Sequence, residues 1–197
     1  MMTNRPLNRF ERRKQRTREQ LKQAALNLIL EKGYDAVSVQ DITDRADLGR
    51  GTFYVHFADK EDLIWSALRE GFEVVNEAMM NDYEHEQSPR LEYLIWRRMF
   101  EYAGENRALY KVMLAGQGSG PLADRVQSYF ASEVEAQVTS GRCFVNFTPP
   151  APYIAQFVSG AIVRMLTWWL NVPNDYTPRQ MAGFFYEMIF HQPPPDP

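Results

Sequence analysis

The sequence predicts an all-α protein of about nine helices, with a small basic unit followed by a larger acidic one. Three observations lead there. Apolar residues recur at helical spacing nearly throughout the 197 residues, and runs of strict alternation are absent. Helix punctuation recurs along the chain, with Ser38, Asp59 and Ser88-Pro89 as starts and Gly33 as a stop. Charge divides the chain: residues 1–60 hold 12 Lys+Arg against 8 Asp+Glu, and the remainder holds 10 against 17. The net charge of −3 hides that division. A basic end on an acidic body suggests that one end meets a polyanion.

The first helix is expected over about residues 9–32, with Leu21, Ala25, Leu28 and Ile29 on one face and Gly33 after it. Ser38-Val39-Gln40-Asp41 is a capping-box-like start for a second helix with inner face Val39, Ile42 and Ala46, and Val37 can staple onto Ile42. A turn at Asp47-Leu48-Gly49 leads to a third helix of about residues 50–56, where Leu48 and Phe53 stand in the same staple relation. Asp59 caps a fourth that runs past Met80. Pro89, at a first helical position, opens a fifth that carries Leu91, Leu94, Ile95, Met99 and Tyr102. A sixth lies near Asn106 to Leu114, closed by Gly116, and "GQGSG" is a break. A seventh spans about 121–139, and "SGRCFVNFTPP" is the longest loop. Helices near 152–171 and 178–191 complete the body. These elements give domains of residues 1–62 and 63–192, with 193–197 a disordered tail.

Several function classes find no support. One cysteine, Cys143, excludes an internal disulfide and any multi-cysteine metal site. His56, His85 and His191 are scattered without metal-ligand spacing. No nucleophile–base pair, paired carboxylates or phosphate loop suggests an enzyme, and no cofactor is expected. No apolar run precedes residue 21, and the most apolar segment, Tyr153 to Leu170, contains Gln156 and Arg164. A buried helix and a cytoplasmic location are therefore expected, and the sequon at Asn146-Phe147-Thr148 is read as chance.

The second helix, a short turn and the third helix form a helix-turn-helix arrangement. With Phe53 and Phe57 on the inner face, Gly51 and Val55 point nearly opposite, and Thr52 and Tyr54 flank them. Arg50 sits in the first turn, where an arginine can pair bidentately with guanine. Tyr54, His56 and Lys60 can donate to phosphates. Upstream, "RFERRKQRTR" is either a minor-groove or phosphate arm or a solvated extension of the first helix.

"VSVQDITDRADLGRGTFYVHFADKEDL" resembles the helix-turn-helix of TetR-family transcriptional regulators, through Gly51-Thr52, Tyr54, Phe57 and Lys60. The resemblance covers about residues 17–63, and "YIAQFVSGAIVRMLTWWL" with "TPRQMAGFFYEM" looks like that family's last two helices. It implies base contacts from Gln40, Arg50, Gly51 and Thr52, and phosphate contacts from Ser38, Tyr54, His56 and Lys60. Two departures fall in the turn: Asp47 stands where glycine is expected, and Gly49 where a serine cap is usual.

The resemblance further implies a homodimer on a palindromic double-stranded operator, commonly as a repressor, with a small-molecule pocket in the larger domain. Control by a protein partner instead of a ligand is the alternative. The 152–171 helix is too apolar to bury a single face, so an interface is expected from Phe157, Gly160, Ala161, Arg164 and Trp168. The last helix would add Phe184, Phe185 and Met188. Trp96, Met99, Phe100, Tyr102, Tyr110 and Met113 are the pocket candidates, suited to a large apolar or aromatic ligand.

Overall fold

The structure, a computed structural model, describes residues 8–83, 88–115, 120–141 and 147–195. The Met113 side chain, His85, Gly116, Cys143, Asn146 and the final residues 196–197 lie outside the described residues. Among the described residues there are nine α-helices and no strand, which bears out the all-α reading.

Two compact units are present, Met1–Leu68 and Arg69–Pro197. The first holds α1 (Arg9–Lys32), α2 (Val39–Ala46), α3 (Arg50–His56) and the start of α4 (Lys60–Tyr83). The division thus falls inside α4 and not at its start, because Leu63, Ile64 and Leu68 are buried. The Asn8 side chain accepts from the Glu11 N–H at 2.9 Å and Glu11 returns to the Asn8 N–H at 2.7 Å, which satisfies two free donors of α1. Gly33 ends the helix at φ 85°, a conformation that costs a side-chain-bearing residue. Ser38 and Asp41 form the capping box of α2. The first unit packs α1 on α2 and α2 on α3, around Leu21, Ala25, Ile29, Ile42, Phe53 and Leu63.

The second unit contains α5 (Pro89–Glu105), α6 (Arg107–Ala115), α7 (Gly120–Thr139), α8 (Ala151–Asn171) and α9 (Pro178–Phe190). Helix α5 packs on α9, α7 on α8, and α6 against α8. Phe100 is fully buried, with the Trp169 ring at 5.7 Å and the Phe185 ring at 6.2 Å. Arg107 caps the end of α8, donating to the carbonyls of Trp169 at 3.0 Å and Leu170 at 3.2 Å. Thr177 and Gln180 form the capping box of α9, with Pro178 opening the helix.

Two side chains depart from their expected roles. Phe185, expected at the interface, is only 5 % exposed, and its ring lies 4.7 Å from Trp96 in the unit's own core. Phe100, expected at the pocket, belongs to the same cluster.

Gly71 in α4 faces Tyr102: a Cβ at this position would overlap the Tyr102 hydroxyl and come within 2.8 Å of its Cζ. Alanine at 71 forces the ring aside. Gly71→Ala is expected to cost about 1–2 kcal/mol despite alanine's better helix propensity, read as a lower melting temperature.

Candidate nucleic-acid interface and cavity

Helix α3 is seven residues long, too short to persist alone. Its place is set by Phe53 and Phe57, which are 0 % and 2 % exposed and whose rings lie 5.9 Å apart. Burying that edge turns the opposite one outward. Arg50, Gly51, Tyr54 and Val55 are exposed and Thr52 is half-buried. The Arg50 guanidinium lies 5.9 Å from the centre of the Tyr54 ring. The exposed edge therefore offers a forked cation, a hydroxyl, a phenol and a small apolar surface.

Gly51 is not required by the fold. It lacks a positive φ, and a Cβ built there meets nothing within 4 Å. The space it leaves open is outside the unit, where a partner's surface can approach the backbone. The turn before α3 adopts what the sequence departures required: Asp47 takes the left-handed conformation at φ 53°, ψ 48°, and Gly49 caps without a side-chain bond.

The remaining candidates are more committed. Gln40 is exposed on α2, and its amide donates to Asp44 at 2.7 Å. The Ser38 hydroxyl is engaged with Asp41 in the capping box. Lys60, expected at a phosphate, donates instead to the carbonyls of Tyr34 at 2.7 Å and Val37 at 2.8 Å, with its ammonium 4.2 Å from the centre of the Tyr34 ring. Two of its three donors are used, so it fastens α4 to the turn between α1 and α2. His56 is half-buried and its Nδ1 is buried without a protein partner. Burial first, then the charges of Arg18 and Lys14, hold its imidazole below the ordinary value. It offers a neutral ring, not a cation, to a phosphate.

Arg18 was missed in the sequence. It donates to the His56 carbonyl at 3.0 Å and the Ser66 hydroxyl at 2.8 Å, and its guanidinium stands 4.4 Å from the centre of the Phe57 ring. It clamps the end of α3 to α1 and α4. Within the basic run its sequence carries no mark that separates it from Arg16, which is exposed.

The second unit contains a cavity with an empty volume of about 720 Å³, counted with its mouth. Trp96, Met99, Tyr102 and Tyr110 line it. The sequence reading missed Phe72, Tyr129, Phe130 and Glu133, which also line it. Phe72 stacks on Tyr129 with centroids 5.6 Å apart and the planes 19° from parallel.

Residues 21–66 match the family described as "Bacterial regulatory proteins, tetR family", and residues 93–191 match a "Transcriptional regulator C-terminal region" family. The chain belongs to the TetR family. It is 26% identical over 154 residues to the HTH-type transcriptional repressor DhaR of Mycobacterium sp. (strain GP1), a match covering 78% of this chain and 62% of DhaR. The chain thus spans less than two thirds of that relative's length. A putative TetR-family regulator from Syntrophomonas wolfei has the same fold at a TM-score of 0.69, with 22% identity and coverage of 89% of this chain and 93% of that one. The regulator FadR from Bacillus subtilis, solved in complex with stearoyl-CoA, follows at a TM-score of 0.61, with 19% identity and coverage of 87% and 96%. TetR-family membership makes the chain a DNA-binding transcriptional regulator and not an enzyme.

Gly51→Ala is expected to raise stability by up to about 1 kcal/mol while weakening DNA binding, because a helical glycine is entropically costly and the methyl fills the approach space. Melting and band-shift titrations on the same preparation separate the two effects. His56 generates a pH dependence. Its folded-state pKa lies below the unfolded value of 6.5, so the unfolded chain binds more protons beneath that pH. This contribution to stability is full above 6.5 and is lost as pH falls below it through the lower folded-state value. The melting temperature is expected to fall less between neutral pH and mildly acidic buffer in His56→Gln than in the wild type.

Proposed function

We propose that the protein is a homodimeric repressor that places one α3 from each subunit in successive major grooves of a palindromic operator. A small apolar or aromatic ligand in the second unit's cavity releases it. The cavity carries this reading: a space lined by Trp96, Met99 and several tyrosines gives the second unit an aromatic-walled receptacle. Support comes from DhaR, which is named a repressor, and from FadR, which was solved with a small-molecule ligand. Arg50, Gly51 and Thr52 meet base edges and Tyr54 a phosphate; Gln40 lies beside them in the sequence motif as a further base contact. The two units divide these two tasks, with α4 contributing Lys60 to the first and Phe72 to the cavity wall. Among the described residues no helix is long and apolar enough to cross a membrane, and we place the protein's work in the cytoplasm.

The second subunit is proposed to cover an apolar face that this chain leaves exposed. On α8, Phe157 is 59 % exposed, and Gly160, Arg164 and Trp168 follow at spacings that keep them on one side. On α9, Phe184 and Met188 are 48 % and 73 % exposed. The Tyr176 ring joins the two, 6.2 Å from Trp168 and 5.5 Å from Phe184. Ala161, half-buried, borders the stripe. A continuous patch of this kind is what an isologous contact needs.

Footprinting the full chain on its neighbouring genomic DNA tests the reading. Two protected half-sites about one helical turn apart are expected, lost in Arg50→Ala/Tyr54→Phe. In Phe157→Glu/Met188→Glu, both sites being exposed, the chain is expected to stay folded, sediment as a monomer and lose the footprint. A bound cavity ligand is expected to weaken operator affinity about 5–150-fold. Unchanged affinity at saturating ligand would exclude release by the cavity.

A further inference from the structure

The outward edge of α3 carries an apolar side chain that the fold does not use. Val55 is 73 % exposed, on a helix whose inner edge is Phe53 and Phe57. Two residues after Phe53, it stands about 200° round the helix axis, nearly opposite the buried ring. The first unit gains little from a valine there. It covers no core, and a β-branched residue is a poorer helix former than alanine. Single apolar residues on a surface are ordinary, so the surroundings decide what this one is for.

Those surroundings are polar and already arranged. The Arg50 guanidinium lies 5.9 Å from the centre of the Tyr54 ring, and that ring meets Phe53 edge-on at 5.4 Å, which draws both to one flank. Thr52 is half-buried on the other flank. Between the flanks stand Gly51 and Val55, one turn apart on the same edge. Gly51 has no side chain, and a Cβ there meets nothing within 4 Å. Nothing one turn before Val55 therefore holds a surface away from that edge. Val55 brings to it two methyl groups that cannot hydrogen-bond, on a χ1 torsion nearly fixed in a helix.

In the major groove one base group matches such a side chain. Base edges there present nitrogen and oxygen donors and acceptors, and only thymine adds an apolar group, its C5-methyl. A valine against a donor or acceptor strips its water and returns no bond. Against the thymine methyl it buries apolar surface on both sides. We infer that Val55 reads a thymine in each operator half-site through that methyl group. This rests on α3 being the groove-entering helix of the proposed function. It adds a base contact made without a hydrogen bond, at a residue outside the set Gln40, Arg50, Gly51 and Thr52.

Deoxyuridine in place of thymine removes that methyl and nothing else. Band-shift titrations of the full chain on its footprinted operator test each thymine in turn, exchanged symmetrically in both half-sites. At one thymine pair the exchange is expected to weaken wild-type binding about fourfold per half-site. Val55→Ala is expected to bind the thymine operator as weakly as the wild type binds the deoxyuridine one, and to be indifferent to the exchange at that pair. Its melting temperature is expected to stay at or above the wild-type value, since the site is exposed and alanine favours a helix. If no thymine answers to deoxyuridine, or if every thymine that answers does so equally in Val55→Ala, the assignment to Val55 is overturned. Loss of the footprint in Arg50→Ala/Tyr54→Phe would then leave α3 standing as the reading helix. A footprint that survives in that double variant overturns the groove-entering helix, and the thymine contact with it.

Discussion

The surface proposed to read DNA depends on one constraint: a seven-residue helix must borrow all of its order from its surroundings. Helix α3 does so through the buried edge of Phe53 and Phe57 and through the Arg18 guanidinium on the His56 carbonyl. The two anchors act at different ends of the physics. Apolar burial fixes which edge faces inward but permits rocking about that edge. The directional bonds of Arg18 to two further elements remove that freedom. With α3 held in this way, the exposed order of Arg50, Gly51 and Tyr54 becomes a fixed pattern.

Lys60 plays a parallel part at the start of α4. A flexible ammonium that ties two backbone carbonyls leaves them satisfied without a secondary-structure partner. The turn between α1 and α2 is thereby fastened to α4, the helix that also supplies Phe72 to the cavity. In the second unit the equivalent organising element is aromatic: Phe100, Trp169 and Phe185 fill the core so fully that the space left over lies to one side of it.

Much of this was legible in the chain. Spacing placed Phe53 and Phe57 inward and Gly51 and Val55 opposite them, since a four-residue step on a helix leaves little choice of face. Helix limits followed from Ser38 and Ser88-Pro89, whose capping chemistry is local. What stayed hidden was long-range. Lys60 and the carbonyls it binds are 23 and 26 residues apart, and Arg18 reaches across 38 and 48. No periodicity marks such pairs. The cavity was half visible for a related reason: an aromatic at helical spacing lines a void only where neighbouring helices fail to meet. Phe100 and Trp96 are one turn apart on α5, yet only Trp96 reaches that space. Phe184 and Phe185 show the same limit, since adjacent residues differ in fate by helical phase alone.

The early part of α1 has a separate consequence. Arg9, Arg12, Arg13, Lys14 and Arg16 are all exposed, whereas Arg18 and Lys22 are drawn into the fold. The cations able to shed counterions onto a polyanion are thus concentrated in turns that lie outside the packed core, and Arg18, which clamps the end of α3, is withheld from exchange. Ionic strength acts on the former and hardly on the latter. Under the proposed DNA contacts, strength of attachment and choice of sequence fall to different stretches of chain, and salt adjusts the first without redrawing the second.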